Sequence, residues 1–117
     1  MYNCLMHKND WLKGSLKTII LKLLSENPRL YGYEITRMVE DKTENSIQLT
    51  EGALYPALHK LESQGLLVSE KVSIGNRMRK YYSLTPQGQL EAKQNIEDYF
   101  NFVRNMLVLL SNKPSPA

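Results

Sequence analysis

Apolar positions along this chain form three short helical stripes, then a strand-like pattern, then one long helical stripe. From Ser15 on, Leu16, Ile19, Ile20, Leu23 and Leu24 mark one face of an amphipathic helix, which Glu26, Asn27 and Pro28 end. Ile35, Met38 and Val39 mark a second helix running to about Lys42, followed by a polar connection over 43–48. Leu54, Leu58 and Leu61 mark a third. Thr50 is placed to cap it, because its hydroxyl can accept an unpaired backbone N–H, and Gly65 is placed to end it in the left-handed conformation. Pro56 removes one backbone bond and predicts a kink or a short first turn. Helices this short, each with a single stripe, must bury their stripes against one another.

After Gly65 the pattern becomes β-rich. The runs 66–72 and 79–84 flank turn chemistry at Gly75-Asn76, which reads as a hairpin with five or more connecting residues. Tyr81 and Tyr82 fall on opposite faces of the second strand, so one is expected in the core and the other outside. Thr85-Pro86 then signals a new helix, although Gly88 weakens its first turn by about 1 kcal/mol. Apolar residues continue from Leu90 through Ile96, Tyr99, Phe100, Val103, Met106, Leu107 and Leu110, giving roughly 26 residues or about 39 Å of helix. Residues 112–117 read as a frayed end. Residues 1–13, polar with Trp11 and Leu12 among them, read as a tail or an interface segment.

Composition narrows the class. At 117 residues, 42% hydrophobic and 23% charged, the chain fits a soluble globular fold of about one domain. Its longest apolar run, 106–110, is too short to span a membrane, and no export signal is visible, so a cytoplasmic location is expected. The one cysteine, Cys4, has no internal partner and no metal-ligand spacing; it suits a reducing compartment, with a redox role as the alternative to an incidental thiol. Charge matters through its placement. Residues 1–70 carry eight Lys/Arg against nine Asp/Glu, and residues 81–117 carry three of each. The surplus therefore sits in residues 71–80, where Lys71, Arg77, Arg79 and Lys80 face no acid, a local patch that an anionic partner would feel.

The expected fold is mainly α with a small β-hairpin: a winged helix-turn-helix plus one long C-terminal dimerisation helix. The division falls into a DNA-binding winged helix over 1–85 and a dimerisation helix with its frayed end over 86–117. The last helix cannot bury its stripe on so small a domain, and a self-complementary pair of such helices is the simplest cover.

The residues also carry a family resemblance. Tyr31-Gly32-Tyr33-Glu34-Ile35, then Glu51-Gly52-Ala53-Leu54-Tyr55-Pro56-Ala57-Leu58 with Leu61-Glu62 and Gly65-Leu66, then Arg79-Lys80-Tyr81-Tyr82-Ser83-Leu84-Thr85 with Gly88, resemble the successive signatures of the PadR family of transcriptional regulators. Order and spacing agree over 16–88, and the single C-terminal helix is similar to the short PadR subfamily. The resemblance implies a dimeric winged-helix repressor whose third helix and wing read a palindromic DNA operator. It also implies a small aromatic or phenolic effector near the dimer interface.

Site residues follow from chemistry at those positions. Thr50, Gly52 and Tyr55 open the reading helix, where backbone N–H groups and the phenol can bond phosphates; for Gly52 a tight helix start is the alternative. His59 and Lys60 lie one turn on, within reach of base edges or phosphate, and His59 also reads as a solvated side chain. Arg77, Arg79 and Lys80 supply the wing's cations. The dimer interface is assigned to Ile96, Tyr99, Phe100, Val103, Met106, Leu107 and Leu110, and an effector site to Trp11, Tyr99 and Phe100, rings that otherwise simply pack the dimer.

An enzyme is not expected. The two histidines, His7 and His59, lie in separate elements, no nucleophilic set or phosphate-binding glycine motif occurs, and neither a metal nor a cofactor is called for. The rival reading is a winged helix that binds protein and not DNA, against which the basic wing argues.

Overall fold

The computed structural model describes the backbone of residues 2–111 and the side chains of residues 11–111. Its elements in chain order are α1 (Tyr2–Glu26), β1 (Leu30–Tyr31), α2 (Gly32–Lys42), α3 (Glu51–Ser63), β2 (Leu67–Ile74), β3 (Arg77–Leu84) and α4 (Pro86–Leu110). Leu16, Ile20, Leu23 and Leu24 of α1 meet Ile35 and Val39 of α2 and Leu54, Leu58 and Leu61 of α3 in one core, closed from the sheet side by Leu30, Leu67 and Tyr82. Each such side chain, fully buried, contributes about 1.5–3 kcal/mol. The helical stripes therefore cover one another, as their spacing requires.

The helix ends obey local chemistry. Thr50 Oγ1 accepts the Ala53 N–H at 3.2 Å, and Gly65, at φ +80°, takes the left-handed conformation just beyond α3. Helix α3 continues through Pro56 without interruption from Glu51 to Ser63. The Tyr31 N–H donates to Glu34 Oε1 at 3.1 Å, which satisfies one free donor at the start of α2.

Three features differ from expectation. First, α1 begins at Tyr2, so most of residues 1–13 is helix and not an irregular tail. Gly14 and the polar residues before it hid this, yet Leu12 packs on the core one turn before Leu16. Second, the hairpin connection is only Gly75-Asn76, since Ile74 pairs with Arg77. Gly75 at φ +59° supplies the left-handed residue that a two-residue hairpin turn needs at its first position, and the polar Ser73 and Arg77 beside it disguised the strand ends at 73–74 and 77–78. Third, a short strand precedes α2: β1 pairs antiparallel with β3, Leu30 opposite Tyr82 and Tyr31 opposite Tyr81, giving a three-stranded sheet in the order β1-β3-β2. Two residues are too few to show a period in the sequence.

Helix α4 runs antiparallel to α1. Lys17 Nζ meets Glu91 Oε2 at 2.8 Å, Thr18 Oγ1 donates to Asn95 Oδ1 at 2.7 Å, and the Ser15 and Tyr99 hydroxyls lie 2.6 Å apart. Gly88 and Ala92 are buried, and from Phe100 to Leu110 every residue except the partly covered Met106 is exposed. The expected end over 112–117, and the side chains of Cys4 and His7, lie outside the described residues. Among the described residues no helix is long and apolar enough to cross a membrane.

Candidate nucleic-acid interface

Helix α3 buries Leu54, Leu58 and Leu61, which turns Glu51, Gly52, Pro56, His59, Lys60 and Ser63 to solvent. The Thr50 hydroxyl uses a lone pair on the Ala53 N–H, so its own proton is free to be donated outward. A Cβ at Gly52 would meet nothing within 4 Å, so a large backbone can approach there. His59 and Lys60 are exposed one turn further along. Glu51 shares this end; its carboxylate is favourable beside the helix N-terminus but opposes a phosphate placed directly on it.

Tyr55 occupies a different environment. It is half-buried against the core, and a Cβ at Gly32 would stand 2.6 Å from its hydroxyl and 2.9 Å from Cζ. The phenol therefore fits only because residue 32 has no side chain, and this contact sets how closely α2 and α3 cross. Burial, followed by the field of Glu51 and a hydrogen bond to it, pushes the Tyr55 hydroxyl above the usual phenol range. Tyr55 is a joint of the helix-turn-helix as much as part of its outer face.

The hairpin stands beside the last turn of α3. Glu62 accepts the Ser69 hydroxyl at 2.6 Å and faces Lys80 Nζ at 3.8 Å, tying helix to strands. Pairing of Lys71 with Lys80 and of Ile74 with Arg77 puts Lys71 and Lys80 on one face of the hairpin and Arg77 and Arg79 on the other. Lys71 and Arg77 are exposed, as are Ile74 and Met78 near the tip. Lys80 is partly covered, 5.3 Å from the Tyr82 ring centroid and close to Glu62.

Arg79 belongs to a stack that the sequence did not reveal. Its guanidinium lies 4.0 Å from the centroid of Tyr31, Tyr31 meets Tyr81 edge-on at 5.5 Å, and Arg29 covers Tyr81 at 4.1 Å while pairing with Glu70 at 2.8 Å. A hydrogen bond with Tyr81 holds the Arg79 pKa above its usual range, with the fields of Tyr31, Tyr81 and Glu34 adding to it. The signal was obscured because Arg29 and Tyr31 lie some fifty residues from the strand they cover. On α2, Arg37 is exposed and donates to the Tyr33 hydroxyl at 3.2 Å, a further cation that no motif had singled out.

The residues assigned to pairing divide by depth. Ile96, Tyr99 and Met106 are partly covered, whereas Phe100, Val103, Leu107 and Leu110 are exposed. Phe102, Val108 and Leu109, not assigned beforehand, are exposed as well. Tyr99 is anchored within its own chain, its hydroxyl on Ser15 and its ring 6.2 Å from Phe102. Trp11 and Phe100 show 71% and 66% of their surface, so two of the three expected effector rings are largely exposed to solvent in this chain.

Comparison with known proteins agrees with this geometry. Residues 20–94 match the model of the transcriptional regulator PadR-like family. A transcriptional regulator of Mycobacterium tuberculosis is 38% identical over 80 residues, covering 68% of this chain and 71% of that protein. Among solved structures, a transcriptional regulator from Clostridium thermocellum superposes with a TM-score of 0.77 at 32% identity, over 87% of this chain and 96% of the other. A PadR family regulator from Eggerthella lenta gives 0.74 at 30% identity, over 89% and 88%.

Proposed function

Since this chain belongs to the PadR-like family of transcriptional regulators, we propose that it is a dimeric repressor that reads a palindromic double-stranded operator with α3 and the hairpin. One observation carries the reading: α3 turns Thr50, Gly52, His59 and Lys60 outward beside a hairpin whose tip cation, Arg77, is exposed. In this arrangement the start of α3 enters the major groove, Lys60 and Arg77 neutralise phosphates, and His59 reaches base edges or phosphate. Arg79 and Lys80 add charge at the hairpin root while held by Tyr31 and Glu62. Residues 1–85 are the reading unit and residues 86–117 the pairing unit, joined through Phe100, Val103, Leu107 and Leu110 of two copies. A flat aromatic or phenolic effector would enter where Trp11 and Phe100 of the two copies approach, its affinity linked reciprocally to that for DNA.

The test is selection of bound duplexes from a random pool, followed by titration at several salt concentrations. A palindromic winner whose log affinity falls linearly with log salt is expected, because bound cations release counterions from the duplex. If no duplex is retained even at low salt, the reading fails and a protein-binding winged helix replaces it.

A further inference from the structure

The end of α3 and the start of α4 share one hydrogen-bond network. The Leu66 N–H closes α3 on Leu61 O at 3.0 Å, and the Leu66 carbonyl accepts the Thr85 N–H at 3.0 Å. Thr85 Oγ1 donates to Gly65 O at 2.7 Å, with Leu66 O at 3.2 Å, and accepts the Gly88 N–H at 2.9 Å. One hydroxyl thus caps α4 and holds the residue that terminates α3.

Gly88 makes the contact closer still. A Cβ there would overlap the Leu66 carbonyl oxygen and stand 2.9 Å from its carbon. Those are backbone atoms, which cannot swing aside as a flexible side chain can. A glycine that costs helix stability in the third position of α4 is therefore what lets α4 seat on the α3–β2 corner. From Gly88 to Leu110 the helix extends roughly 33 Å, so a tilt of about 10° at this seat displaces the far end by about 6 Å. One base-pair step is about 3.4 Å.

We propose that Thr85 and Gly88 are positioning residues for operator reading: their seat on Gly65 and Leu66 fixes the angle between pairing helix and reading helix, and through it the half-site spacing that a dimer accepts. The inference rests on the DNA-reading dimer proposed above and adds which residues set its spacing. Neither residue needs to touch DNA. Simultaneous engagement of two half-sites multiplies affinity about 10²–10⁴-fold and is lost when geometry forbids it.

The experiment takes the palindrome selected by the wild-type protein, builds duplexes with its halves respaced one base pair at a time, and adds a duplex bearing a single half-site. Wild type and Thr85→Ser, which keeps the hydroxyl, should prefer the same spacing. Gly88→Ala, still dimeric by sedimentation, should bind the single half-site as wild type does. On the native spacing it should lose about 10²-fold, or its optimum should move by at least one base pair. If Gly88→Ala does not fold, Thr85→Val, which removes the hydroxyl at nearly constant shape, is read by the same criteria. A spacing profile identical to wild type in a folded variant overturns the inference. Equal weakening on the half-site and on every spacing also overturns it, since that is the mark of a merely structural joint. Failure of wild type to enrich any palindrome would instead overturn the DNA-reading proposal, and this one with it.

Discussion

The two halves of α4 differ in composition and in fate: the near half, mostly polar, is seated on its own chain, and the far half, mostly apolar, is bare. In the near half, Gly88 lies on the Leu66 carbonyl and Ala92 is 1% exposed, with Glu91 and Asn95 bonded to α1. In the far half, Leu107, Val108, Leu109 and Leu110 are each about two-thirds exposed or more. An apolar stripe shows that a face needs cover; it does not show what provides it. In the near half the face carrying Gly88 and Ala92 is covered by its own chain, while Leu90 stays exposed. The far half carries a patch that isolated soluble proteins rarely leave bare, which is why we assign it to a second copy.

The contrast can be broken most severely at Ala92. Ala92→Asp forces a carboxylate into a closed contact, at a cost of several kcal/mol against a total stability of about 5–15 kcal/mol. Thermal denaturation followed by circular dichroism should show an unfolded chain or a greatly lowered midpoint. A variant that melts like wild type would mean that the near half is not part of the folded body.

Leu107→Asp is the matching change in the far half. Its side chain is 67% exposed in the protomer, so the helix signal should survive. Sedimentation should report a monomer, and affinity for a palindrome should fall by about 10²-fold or more as the second half-site is lost. An unchanged dimer would locate the pairing surface elsewhere and leave the bare stripe unexplained.

A smaller effect separates covered from bare within the hairpin. Arg77, exposed at the tip, should on replacement by Ala weaken binding to all duplexes alike and flatten the log–log salt slope by about 0.9. Arg79→Ala should flatten that slope less and also lower the melting midpoint slightly, because Arg79 is held over Tyr31. If both changes flatten the slope equally, the stack opens when DNA binds and the tip and root of the wing do not differ.

Along the chain, periodicity and caps alone determined most of the fold. The stripes of Leu16–Leu24, Ile35–Val39 and Leu54–Leu61 named the core, Thr50 and Thr85 marked helix starts, and Gly65 marked a stop, because each depends on bonds and contacts within a few residues. The family signatures pointed to α3 and the hairpin for the same reason: they are local runs. The tertiary structure decided what depends on distant partners. It turned Gly88 from an apparent weakness into a seat, since only the fold brings Leu66 to it. It placed Tyr55 over Gly32, and it drew Arg79 onto Tyr31 across a strand pairing that two residues could not announce. That the α4 stripe would be left bare followed from its length, but which of its residues the chain covers (Ile96, Tyr99 and Met106 in part, Phe100 and Leu107 hardly) only the fold decided, because a hydrophobic residue is written the same way whether its own chain covers it or not.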